Sequence, residues 1–287
     1  MSAIGLSLYR VCRRRLSGLG LRKYAVVNRV NDWVLRRVKG QTAMVNGHLM
    51  HLDPRDSLDL SLNGVYEPFE TEIVHRLVHE GDIVLDVGAN IGYYTLVLAR
   101  RVGAGGRVFA FEPDPDNFAL LTKNVGTNGY RNVVPVNAAL SNRSGTLELH
   151  LCDDNRGDHR IYASGADRKT IEVSTIAGDD CLGEISSCVN FIKIDVQGAE
   201  GLVLRGLCRT LQRSKGCRVI FEFWPEGMSK AGDNPAEVLD YMSHQGFSFE
   251  LVDEKRKALL KVERQDVLSE FAIATGNQTN LLASRPK

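Results

Sequence analysis

The sequence predicts an α/β protein built on a largely parallel sheet with helices on both faces, and three observations predict it. Short apolar runs at Ile83–Val87, Arg107–Glu112 and Val133–Val136 alternate with stretches of helical period at 93–102 and 115–124. The alternation breaks off and then resumes, with runs at 189–195 and 218–223 around a helical stretch from about 200 to 211. The length of 287 residues, with 43% hydrophobic and 25% charged, suits one such sheet with a small appendage. No run of about 18 consecutive apolar residues occurs, which excludes a membrane-spanning helix. A net charge of +1 argues against a general nucleic-acid binder.

Residues 1–40 form a basic amphipathic segment. They hold ten Lys or Arg against Asp32 alone, a net +9 that leaves −8 for the rest of the chain. Val27, Val30, Val34 and Val38 recur at helical spacing with Trp33 alongside. Three readings stay open: a helix packed on the main domain, an interfacial membrane helix, or an Arg-rich targeting peptide. The main domain is expected over 41–287, with a β-hairpin at 41–52 turning at Asn46-Gly47 and a core that begins near 66. Pro68 is expected in the first turn of a helix that carries Ile73, Val74, Leu77 and Val78 on one side.

After the first three strands comes an insertion, 137–188, with antiparallel pieces at 146–151 and 170–173 and a polar loop holding Asp153, Asp154, Asp158 and His159. The chain closes with a helix at 235–245 and strands near 247–252 and 281–283. Six scattered cysteines with no C-x-x-C pair read as reduced thiols in a cytoplasmic protein.

The sharpest motif is Asp86-Val87-Gly88-Ala89-Asn90-Ile91-Gly92, which ends a strand and opens a helix. Its glycines let the backbone turn and approach a ligand, and Asp86 is expected to project into the same crevice. Glu112 ends the next strand, where an acid in this kind of fold grips ribose hydroxyls. A pyrophosphate would be repelled by Asp86, whereas the ammonium and sulfonium of S-adenosylmethionine would be attracted, so the methyl donor is favoured over NAD. A third motif, Phe191 to Glu200, places Asp195 at the carboxyl end of a buried strand, where a carboxylate is costly without a task.

The sequence resembles the FkbM-type S-adenosylmethionine-dependent methyltransferases, on Asp86 to Gly92, Phe111-Glu112-Pro113, Asn137 to Ser141 and Lys193 to Glu200, across roughly 66–283. Gln197 departs from the family, which usually has Glu there. The resemblance implies a doubly wound, Rossmann-like, seven-stranded methyltransferase sheet and O-methylation of a hydroxyl on a sugar, glycan or natural product. It further implies that Asp86 and Gly88 line the methionine and ribose region, that Glu112 binds the ribose and that Asn137 and Ala138 lie near the adenine, with Ala89, Asn90, Gly92, Pro113 and Asp195 also at the cofactor.

Asp195 then faces the reacting centre. A hydroxyl needs a base or a divalent metal to make it nucleophilic. Asp195 is the first candidate for either part, with His159 and Glu222 as further catalytic candidates, and Glu67 is expected to close over the methionine end. The rival readings are an NAD-dependent sugar oxidoreductase, which lacks the expected Tyr-x-x-x-Lys pair, and a cofactor-binding scaffold without catalysis. The expected partner is a small-molecule or lipid-linked glycan acceptor, with no nucleic acid. If residues 1–40 bind lipid, the protein sits at the inner face of a membrane.

Overall fold

The computed structural model describes residues 40–163, 168–182 and 188–285, so the basic segment, apart from Gly40, lies outside the described residues. The chain forms two compact units, one up to Tyr66 and one from Glu67.

In the first unit β1 (Thr42–Val45) and β2 (His48–His51) pair as an antiparallel hairpin. Asn46 and Gly47 have φ of 46° and 76°, the two left-handed residues that a two-residue hairpin turn demands. Cross-strand partners Met44 and Leu49 are exposed while Val45 and Met50 are buried, the alternation expected of a strand with one covered face. The short helix α1 (Leu60–Asn63) is started by the Asp56 carboxylate, which accepts from the backbone N–H groups of Leu60 at 2.8 Å and Ser61 at 3.0 Å.

The second unit opens with α2 (Pro68–Leu77), β3 (Ile83–Val87), α3 (Tyr93–Val102), β4 (Arg107–Phe111), α4 (Pro115–Thr127) and β5 (Val133–Val136). The insertion folds as a separate three-stranded sheet of β6 (Ala139–Ser141), β7 (Gly145–His150) and β8 (Thr170–Ala177), followed by α5 (Gly178–Cys181). The main sheet continues with β9 (Phe191–Ile194), α6 (Glu200–Gly206), α7 (Cys208–Arg213), β10 (Arg218–Phe223), α8 (Pro225–Lys230) and α9 (Pro235–His244). It ends with β11 (Ser248–Asp253), β12 (Ala258–Val262), α10 (Arg264–Glu270) and β13 (Thr279–Ser284).

The strand order is β12-β11-β13-β10-β9-β3-β4-β5, with β10, β9, β3, β4 and β5 parallel and β13 antiparallel to β10. The expected seven strands are therefore eight. The extra strand is β12, which turns back on β11 as an antiparallel edge hairpin. The single helix expected over 200–211 is two, broken at Leu207, and beside the break Gly206 packs so closely that a Cβ would lie 2.0 Å from the Ser141 carbonyl oxygen. The chain there is pressed against β6, and helical geometry ends at Leu207.

Strand parity sorts the sheet into two chemically different faces. Leu85, Val87, Ile192, Ile194, Val219 and Phe221 share one face and pack into a single apolar core with Val203, Leu204, Leu207, Val238 and Met242 of the helices that cover it. Burial of each such side chain contributes about 1.5–3 kcal/mol relative to exposure. On the opposite face Asp86 pairs in register with Lys193, and Lys193 with Ile220, so Asp86, Lys193 and Glu222 share the side covered by α2 and α3. One side is wholly apolar; on the other, Asp86, Lys193 and Glu222 stand toward the carboxyl ends of the central strands, beyond buried Val84, Phe191 and Ile220.

Candidate active site

A cavity opens at the carboxyl ends of β3, β4 and β9, the crevice where an open parallel sheet binds its ligands. Gly88, Asn90, Glu112, Pro113 and Asp195 line its floor, and the loop 155–161 covers it with Arg156, Gly157, His159 and Ile161. Gly88 has φ +82°, and a Cβ there would stand 1.9 Å from the Asp195 carbonyl oxygen, so only glycine lets the β3 turn meet the end of β9.

Glu112 is 5% exposed and accepts from the backbone N–H of Asn90 at 2.7 Å and of Asp114 at 2.9 Å. Burial pushes its carboxyl up to about 8, with those two N–H groups pulling the other way. Asn90 and Asn117 both donate their side-chain amides to the Arg156 carbonyl, at 3.3 and 3.2 Å, which straps the covering loop across the cavity. Asn117 is buried, lines the cavity and has no partner on Oδ1. A buried acceptor beside a buried carboxylate suits a nucleoside, whose amine would donate to Asn117 and whose ribose hydroxyls would donate to Glu112. The residues present therefore fit S-adenosylmethionine.

The polar face carries a second cluster beside the cavity. Lys193 is 1% exposed, and its Nζ stands 3.2 Å from Glu70 Oε1, 3.6 Å from Asp195 Oδ2 and 5.2 Å from the centre of the Tyr94 ring. Burial alone would push this ammonium down; the carboxylates of Glu70, Asp195 and Glu67 outweigh it and hold the group well above its ordinary value. Glu67 ends the turn into α2 with φ +40°, makes no cap bond and instead accepts from the Tyr94 hydroxyl at 2.9 Å. The free N–H groups of α2 are taken by Glu254, which accepts from Glu70 at 2.8 Å. Burial, reinforced by Glu70, pushes Glu67 up to about 8. Gln197 Nε2 donates to Asp195 Oδ1 at 2.8 Å and to Glu222 Oε2 at 3.0 Å, and Gln278 donates to Glu222 Oε1 at 2.9 Å. Burial, then the charges of Asp195 and Glu200, hold Glu222 well above the usual carboxylate range.

The residues singled out in the sequence thus separate into two groups. Gly88, Asn90, Glu112, Pro113, His159 and Asp195 line the cavity. Asp86 does not project into it; it is buried on the polar face, where it accepts from Thr95 at 2.5 Å, and burial pushes its carboxyl up to about 6. Ala89 supports the turn through its N–H bond to the Phe111 carbonyl, and Gly92 caps α3 against Leu121, which a Cβ would approach to 2.7 Å. Asn137 braces the β4 loop by donating to the Glu112 and Pro113 carbonyls at 2.8 and 3.2 Å, and Ala138 is buried behind it.

Glu222 joins Asp195 through Gln197 and lies off the cavity wall. His159 is held away from that pair: its Nδ1 accepts from the Cys152 N–H at 3.0 Å and its Nε2 stands 3.7 Å from Asp114. Burial lowers its pKa, opposed by Asp114. It is a strut of the covering loop at the β4 side. No group of three or more His, Cys, Asp or Glu among the described residues is arranged to hold a metal ion. The position beside Asp195 is filled by the Lys193 ammonium, so these residues do not fit a divalent ion.

Glu70, Tyr94, Asn117, Gln278 and Asn280 were not legible as site residues. Asn280 donates to Glu70 at 2.5 Å across 210 residues of sequence, a contact without local signature. Lys193 had one, a lone ammonium inside an apolar strand.

Comparison with known proteins gives the family. The Methyltransferase FkbM domain family matches residues 86–249. The hexuronic acid methyltransferase AglP of Haloferax volcanii is 31% identical over 188 residues, covering 63% of this chain and 71% of the relative. Methyltransferase 1 of Beauveria bassiana is 27% identical over 169 residues, covering 48% of this chain and 68% of the relative. A solved structure of methyltransferase FkbM from Methylobacillus flagellatus KT aligns at a TM-score of 0.41 with 16% identity, over 80% of this chain and 53% of that one. Residues 86–249 span the cavity floor, the covering loop and the Lys193–Asp195 strand, and on that match the chain belongs to the FkbM family of S-adenosylmethionine-dependent methyltransferases.

Proposed function

We propose that the protein methylates a hydroxyl of a sugar or glycan acceptor. One observation carries the reading: Asp195 stands where the nucleoside-fitting cavity meets the polar cluster, its side chain 28% exposed and flanked by the buried Lys193 ammonium. Bound S-adenosylmethionine would supply an activated methyl group. Glu112 and Asn117 would hold its ribose hydroxyls and adenine amine, and Gly88 gives the backbone its close approach. Asp195 accepts the proton of the attacking hydroxyl as general base, and Lys193 fixes the orientation of that carboxylate. Behind it, the amides of Gln197, Gln278 and Asn280 hold the carboxylates of Glu222, Glu67 and Glu70 in place around Asp195 and Lys193.

The methylated hexuronic acid named for the Haloferax relative supports a sugar acceptor. The +9 charge of residues 1–40 supports an acceptor carried on a lipid at an anionic membrane surface. Among the described residues no helix is long and apolar enough to cross a membrane. The oxidoreductase reading is set aside by the family match.

The test is Asp195→Asn with glycan extracts and isotope-labelled cofactor, read by mass spectrometry for methyl gain. The variant is expected to bind S-adenosylmethionine like the parent by calorimetry and to lose roughly 10²–10⁴-fold in turnover. Parental turnover would remove Asp195 from the role of base.

A further inference from the structure

We infer that Gln197 is a positioning residue whose side-chain amide holds Asp195 and Glu222 as one carboxylate pair and leaves Asp195 Oδ2 as the oxygen that receives the acceptor's proton. The inference rests on the reading of Asp195 as base and adds to it the device that aims it. An amide NH₂ has two hydrogens, and Gln197 directs Nε2 at Asp195 Oδ1 at 2.8 Å and Glu222 Oε2 at 3.0 Å. The remaining oxygens are placed by that bridge. Glu222 Oε1 accepts from Gln278 at 2.9 Å, and Asp195 Oδ2 faces Lys193 Nζ at 3.6 Å.

The backbone is bent to make this bridge. Gln197 has φ +54°, a left-handed conformation that a residue with a Cβ rarely adopts, and Gly198 follows at φ +105° with Gly227 so close that a Cβ would lie 2.6 Å from its carbonyl. The turn therefore points one neutral amide into a crowd of acids. Asp195 feels Lys193 from β9, Glu222 from β10, Glu67 from the turn before α2, Glu200 from α6 and Asp86 from β3. A Glu at this place would set another acid between Asp195 and Glu222, whereas the amide donates one hydrogen to each of them. Without it Asp195 would be free to rotate onto Lys193 with both oxygens and lose its aim at the acceptor.

The test uses the full chain with ¹⁵N-labelled glutamine side chains, the Gln197 signal being assigned by its loss in Gln197→Met. Both amide protons are expected to be protected from exchange and to shift with pH, and Glu222→Gln is expected to change that titration. A Gln197 signal that exchanges like free amide and ignores pH overturns the inference, whether or not methyl transfer has been observed. In the second arm Gln197→Met and the isosteric Gln197→Glu are assayed on a hexuronic acid glycoside. Both are expected to keep cofactor affinity within about threefold and lose at least about tenfold in kcat, with a smaller change in acceptor KM. The acidic limb of the kcat profile moves to higher pH, further for Glu than for Met. Parental kcat and pH profile in both variants, with Asp195→Asn inactive, overturn the role of Gln197 alone; an active Asp195→Asn overturns the base on which it depends.

Discussion

Glu112 is held by its own chain and stands at the cavity where the proposed reading places the ribose. Its two backbone N–H donors hold the carboxylate in place at the end of β4, while burial pushes its pKa up to about 8. Ribose hydroxyls donate more strongly to the ionised form than to the neutral acid. Cofactor affinity is therefore expected to tighten as pH rises through about 8, by the linkage between proton and ligand. Glu112→Gln should flatten that dependence and weaken binding by roughly 1.5–3 kcal/mol at high pH. Calorimetry across this range checks both, and a parental protein whose affinity ignores pH would show that Glu112 is not the group that meets the ribose.

At the level of elements the β3–α3 turn is the least tolerant place. Gly88→Ala would set a Cβ 1.9 Å from a backbone oxygen of Asp195 at a φ that disfavours side chains, so β9 must move. A loss of about 2 kcal/mol or more and of cofactor binding is expected. Gly126→Ala is the internal contrast: it lies inside α4 with nothing within 4 Å of a Cβ, and it should stabilise by about 0.5–1 kcal/mol. Denaturant titration of the two variants gives opposite signs, and equal signs would mean that the close approach is not felt.

This turn was readable in the sequence because its glycines and Glu112 lie in consecutive strand-to-helix units, as were the hairpin at Asn46-Gly47 and the Lys193–Asp195 strand. The β12 edge strand was not, since Ala258–Val262 is short and half-exposed and shows no clear period of two. Asp86 misled for another reason: strand parity, fixed by pairing with Lys193, sends it to the polar face and away from the crevice. Glu70 and Tyr94, which meet Lys193, come from α2 and α3, and Asn280, which meets Glu70, from β13, and only the fold brings those together.

For the molecule as a whole, the buried carboxyls set a pH trend. Glu67 and Glu112 hold protons up to about 8 in the folded chain, far above the 4.5 of an ordinary Glu. The stabilisation that goes with a raised carboxyl is complete below the unfolded value and is lost as pH rises through the folded one. Tm is therefore expected to fall as pH rises from about 4.5 to about 8, and less so in Glu112→Gln. His159, lowered by burial from 6.5, acts in the opposite sense below 6.5, which leaves about 6.5 to 8 as the window that isolates the carboxyls. Differential scanning fluorimetry across it decides, and a rising Tm would refute the assignment.

The position of β13 has a consequence for how the molecule is made. It lies between β10 and β11, so the hairpin of β11 and β12 has no place in the sheet until Thr279–Ser284 has been synthesised. Gln278 and Asn280 arrive with the same segment and complete the polar cluster around Glu222, Glu67 and Glu70. A nascent chain that has reached only Asn277 carries every residue that lines the cavity and lacks both the strand between β10 and β11 and two amides of the polar cluster.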